Sequence, residues 1–207
     1  MRTSRWLAAF TVAVVIGHHI GTLLGPLGEL GSGTEWADWG DLLTPYAVVG
    51  TALGALLAAD SPRRAWVTAA VGGIVYVQGH GIHLAANSVG NARGSAQPVH
   101  LWDEVVGHYL WYGGLYLLVA ALVLAVPEPR GTARWPLAAL FGLTMATNGI
   151  EGGTPYLTLA VGVAFVLEGR RRGSAVLITA WATAVVLLVG WGLYWQGFPQ
   201  FSELGWI

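Results

Sequence analysis

Residues 100–126 read HLWDEVVGHYLWYGGLYLLVAALVLAV, and the way this stretch folds decides the class of the protein. From Val105 to Val126 it carries no Asp, Glu, Lys or Arg. It therefore suits a helix crossing a bilayer, which needs about 20 mostly apolar residues. Yet the same stretch opens on His100, Asp103, Glu104 and His108. Ionisable groups inside an apolar slab are costly, and their default reading is a functional site facing a bundle interior.

Working outward, apolar runs near 6–27, 42–59, 65–87, 135–151, 154–168 and 174–195 are separated by Pro, Gly and charged breaks. With 55% hydrophobic residues, 10% charged residues and 30 glycines in 207, the chain is too apolar for a soluble domain, in which about 25% of residues are charged. The expected fold is all-α: an integral membrane protein with a single domain over 1–207, a polytopic bundle of about seven transmembrane helices. Arginine placement orients it. Arg2, Arg5, Arg63, Arg64, Arg130, Arg134, Arg170, Arg171 and Arg172 fall on one side of such a bundle and only Arg93 on the other. The N-terminus is then cytoplasmic and the C-terminus extracytoplasmic, with a bacterial plasma membrane as the expected location. One tilted helix over 135–168 would separate Arg130 and Arg134 from the Arg170 to Arg172 cluster. Two short helices, or a re-entrant hairpin, meeting at Gly152-Gly153-Thr154-Pro155 are expected instead. Cysteine is absent, so disulfides and thiolate ligands are excluded, and a formal net charge of −1 gives no sign of nucleic-acid binding.

Counting along straight helices at 1.5 Å per residue places the polar groups at similar heights. His19 falls about 20 Å from Trp6, His80 about 22 Å and His83 about 27 Å from Ala65, and His108 about 27 Å from Val126. The layer belongs to the outer leaflet, facing the extracytoplasmic side. His80 and His83 share a helix face at i,i+3, and Asn87 continues it. His100, Glu104 and His108 follow i,i+4,i+8, with Asp103 beside them. Of His18 and His19 only one imidazole can point inward. Glu151 sits at the end of a short span, where it can lie below the outer surface. Asp103 and Glu104 also suit a helix start at headgroup level, while His100 and the acidic residues Glu29, Glu35, Asp38 and Asp41 read as solvated.

Imidazole and carboxylate without sulfur suit a divalent metal, Zn or Fe, with Mn also admitted by the donor set. The expected ligands are His80, His83 and His108, with His19 or His18. Asn87 lies in the surrounding shell, and Glu104, Asp103 or Glu151 is general base. Such a site lowers the pKa of a bound water and hydrolyses a lipophilic small-molecule substrate drawn from the lipid bilayer. The alternatives are a di-iron oxidoreductase at the same residues, a proton or ion transporter, a haem-binding electron carrier, and a subunit whose polar layer docks partners. A His-bearing membrane helix followed by an Asp-Glu pair, over residues 80–108, resembles the superfamily of alkaline ceramidases and adiponectin receptors, zinc-dependent lipid amidases. That superfamily's His-x-x-x-His in the last helix has no counterpart here, where the last span holds no histidine.

Overall fold

A computed structural model describes residues 2–31, 33–93 (backbone alone at 91–93) and 97–206. The protein is all-α, about 81% helical. Internal contacts divide it into two compact units, Met1–Pro127 and Glu128–Ile207.

The first unit begins with α1 (Arg2–Gly17) and α2 (Ile20–Leu24), followed by a 3-10 turn at Gly25–Leu27. A short hairpin, β1 (Glu29–Gly31) and β2 (Thr34–Glu35), leads into α3 (Trp36–Ala58). The 31-residue α4 (Arg63–Arg93) follows. Then come α5 (Gln97–His100), a π-helical stretch at Leu101–Gly107 and α6 (His108–Ala125). The second unit holds α7 (Arg134–Glu151), α8 (Pro155–Arg172) and α9 (Ala175–Trp195).

Among the described residues, three helical stretches are long and apolar enough to cross a membrane: Trp36–Ala58, Gln97–Ala125 and Ala175–Trp195. A fourth is added if α1 and the 20–27 segment, bent by 64° at their break, form one span. The expected straight helix over 6–27 is therefore corrected. Gly17, Gly21 and Gly25 recur at every fourth position, each weakening the helix by about 1 kcal/mol relative to Ala. The ladder fails at His18–His19, where His19 N–H donates to Ile16 at 3.2 Å in the tighter 3-10 pattern. The break expected near Gly152 is present: α7 and α8 are separate helices, with Gly153 at φ +61° and Pro155 opening α8.

What positions the site is the seam between α4 and α6, the most extensive helix pairing in the first unit. Residues 72, 76, 79 and 83 of α4 meet 118, 114, 111 and 107 of the facing chain, a 4-3-4 spacing on both sides that runs antiparallel. Glycines bring the backbones together. A Cβ at Gly79 would fall on the main chain of Leu110 and Trp111, and one at Gly107 would lie 3.1 Å from the amide nitrogen of His83. Close approach through small residues is the usual packing device of membrane helices, whose surroundings are as apolar as their own side chains. In the second unit, Trp181 is 1% exposed and stacks on Phe165 at 4.8 Å, with Phe141 at its edge.

Candidate functional site

The α4–α6 seam, closed by α1 and α3, gathers four imidazoles around one indole. Ring centroids of His80, His18, His83 and His108 lie 4.5, 4.9, 5.1 and 5.8 Å from Trp111. His18, His80 and His108 are buried, and so are Trp111, Tyr76 and Tyr112. Each imidazole has an oxygen partner.

His83 Nδ1 lies 2.6 Å from Asp103 Oδ1. His108 Nδ1 lies 3.2 Å from the Glu104 backbone oxygen and 3.4 Å from Glu104 Oε2. A carbonyl oxygen only accepts, so His108 Nδ1 donates to the Glu104 backbone oxygen, while His83 and Asp103 make a close contact that is not aligned as a hydrogen bond. The rings of His83 and His108 are 4.6 Å apart. His80 is held the other way round: its Nε2 meets the Asp41 backbone oxygen at 2.9 Å and Asp41 Oδ1 at 3.3 Å. The Asp41 carbonyl is free to accept because residue 45, which would donate to it in a regular helix, is Pro45 inside α3. His80 Nε2 therefore donates. His18 Nε2 and the Tyr76 hydroxyl hydrogen-bond at 3.2 Å.

The π-helical stretch explains how two adjacent carboxylates serve one site. In an α-helix Asp103 and His108 would lie about 140° apart around the axis. Bonding of i to i+5 widens the turn so that residues five apart stack, and Asp103, 9% exposed, turns inward while Glu104 still reaches His108. Gly107 gives this wide turn room against α4.

The structure thus brings together His18, His80, His83, His108, Asp103 and Glu104. It adds Asp41, which the sequence reading left in solvent: Asp41 is 8% exposed and faces His80, a correction whose signal was its position four residues before a mid-span proline. Tyr76 and Trp111, on the same seam, were also missed. His19 is half-buried and sits at the start of α2, outside the ring of imidazoles. Asn87 is half-buried on α4 beyond His83. His100 is exposed at the end of α5. Glu151 belongs to the second unit, where its Oε2 accepts from the backbone amides of Phe201 at 2.7 Å and Ser202 at 3.3 Å. Among the described residues, no group of three or more His, Asp or Glu side chains is arranged to hold a metal ion. No known protein family, curated protein or solved structure matches the chain.

Proposed function

We propose that the protein is a membrane-embedded enzyme of about seven spans, N-terminus cytoplasmic, whose first unit binds a divalent metal and hydrolyses a lipophilic substrate drawn from the outer leaflet. One observation carries this reading: the His83–Asp103 and His108–Glu104 pairs stand side by side, their rings 4.6 Å apart. A carboxylate on Nδ1 is the arrangement that orients a metal-binding imidazole and raises the basicity of Nε2. Imidazole donors of this kind suit zinc and leave positions for water. Glu104 has the most exposed of the three cluster carboxylates, its side chain 34% accessible against 13% for Asp103 and 11% for Asp41. That exposure makes it the general base. Iron chemistry with two metals needs bridging carboxylates, and Asp103 and Glu104 are each committed to their own imidazole.

A second reading rests on the same distances. Because the donors form pairs rather than a closed set of three, the His83–Asp103 dyad, at 2.6 Å, is suited to moving a proton without a metal. Elemental mass spectrometry on detergent-purified protein separates the two. Stoichiometric metal that disappears in His83→Ala/His108→Ala, with the fold intact and His19→Ala unaffected, supports the metal centre. A folded double variant that keeps its full metal complement refutes it, and wild type without metal moves the assignment to the dyad.

A further inference from the structure

In the second unit the arginines gather at one end. α8 packs antiparallel on α9, with Gly169 against Ile178 and Gly162 against Val185, so the last turn of α8 lies beside the first turn of α9. The chain entering α7 reaches the same level, because Glu128 Oε1 accepts from the Val176 amide at 3.2 Å. Arg130, Arg134, Arg170, Arg171 and Arg172 therefore belong to this end, with only Glu128 and Glu168 as carboxylates.

The charges there do not balance. Both oxygens of Glu168 are taken: Arg171 donates to them through Nε and Nη2 at 2.6 Å each, and Arg172 Nε adds a bond to Oε1. Glu128 is engaged by the start of α9. Arg134 donates to the Pro129 carbonyl at 3.0 Å and lies 4.5 Å over the Trp135 ring, contacts that leave its charge uncancelled. Arg130 and Arg170 are exposed and make no ion pair among the described residues. Just beyond the guanidinium groups the surface turns apolar, with Trp135 and Leu140 on α7 and Val163 and Leu167 on α8 all exposed. A free phosphate would use only the charged part of such a surface. An acidic phospholipid uses both parts, its head on the arginines and its chains on the apolar flank.

We propose that this end of the second unit is a docking surface for acidic phospholipids, with Arg130 and Arg170 as the main contacts of the headgroup. Arg134 and Trp135 mark the boundary between head and chains, and Leu140 and Leu167 lie along the chains. The surface is made by the second unit alone and does not depend on the metal centre proposed above.

The test is native mass spectrometry of the full-length protein from mild detergent, titrated with phosphatidylglycerol or with phosphatidylcholine of the same acyl chains. Wild type should bind the acidic lipid about tenfold more tightly or better. Arg130→Gln/Arg170→Gln should lose about fivefold in affinity for it per guanidinium removed, with phosphatidylcholine binding unchanged. Arg63→Gln/Arg64→Gln takes the same charge from exposed positions at the start of α4 and should leave the preference intact. Equal binding of the two lipids by wild type overturns the proposal without recourse to any variant. An equal loss in both double variants also overturns it, since that marks a general attraction to the chain's positive charge. Glycerol phosphate distinguishes the sources of the phosphate: failure to displace the lipid at matched concentration supports the docking surface, and full displacement overturns it in favour of a free phosphate site.

Discussion

Gly79→Ala asks whether the close approach of α4 and α6 assembles the centre. The added methyl would lie 2.6 Å from the Leu110 carbonyl carbon, where ordinary contact starts at 3.4 Å, and it would press on the Trp111 backbone as well. Main chain cannot swing aside as a side chain can, so the helices must part by at least the 0.8 Å shortfall at Leu110, and by more at the nearer Trp111 amide nitrogen. Overpacking of this kind costs about 1–3 kcal/mol. Alanine's better helix propensity returns about 1 kcal/mol of that. Gly81→Ala is the control: it stands two residues on in the same helix, gains the same propensity, and its Cβ meets nothing within 4 Å. The two variants should therefore differ by the overpacking alone, about 1–3 kcal/mol, or roughly 3–10 °C in Tm for a chain of this length. Thermal unfolding in detergent, followed by near-ultraviolet circular dichroism of the aromatic cluster, measures it. Metal content should fall in Gly79→Ala and stay level in Gly81→Ala, because the 4.6 Å spacing of His83 and His108 spans this seam. Equal melting temperatures would refute the claim that the glycine contact sets the helix spacing.

Asp103→Asn should leave the fold intact and weaken metal affinity about 10- to 100-fold, measured by competition with a chromophoric chelator, because the amide no longer supports His83 as a base. Pro45→Ala gives residue 45 an N–H that competes for the Asp41 carbonyl, so the His80 Nε2 hydrogen bond should weaken and the His80 imidazole resonances should shift in NMR spectra of the detergent-solubilised protein. Glu151→Ala removes the acceptor of the Phe201 and Ser202 amides. It should cost about 1 kcal/mol and speed hydrogen exchange at those two amides, without changing metal content.

The helices of both units were legible because their signals are local: apolar runs, arginine and proline breaks, and the Gly152-Gly153 turn all act over a few residues. The gathering of His18, His80, His83 and His108 was foreseeable from depth, since groups at one height on packed helices have few places to go. Departures from the straight α-helix were not. The bend at His18–His19 depends on glycines whose individual effects are small and act together. The inward turn of Asp103 depends on a π register that no 3.6-residue count reproduces. Asp41 was missed because an acidic residue near a helix start ordinarily faces water, and only its relation to Pro45 and His80 makes burial tolerable. The α4–α6 seam is two heptads long, too short to stand out as a repeat, and its glycines carry meaning only once the opposing backbone is known.

The wide turn at Leu101–Gly107 is equivalent to one residue inserted into an ordinary helix. Deleting a single residue there, Val105 for instance, would let the turn close to α geometry and swing everything before it by about 100° around the axis. Asp103 would leave His83, while the α6 side of the seam, from Trp111 to Leu118, kept its register. One codon thus separates a bundle that carries the carboxylate–imidazole pair from one that merely shares the fold. In any homologous sequence, a one-residue gap between 101 and 107 is expected to go with loss of the Asp103–His83 contact even where both residues are kept.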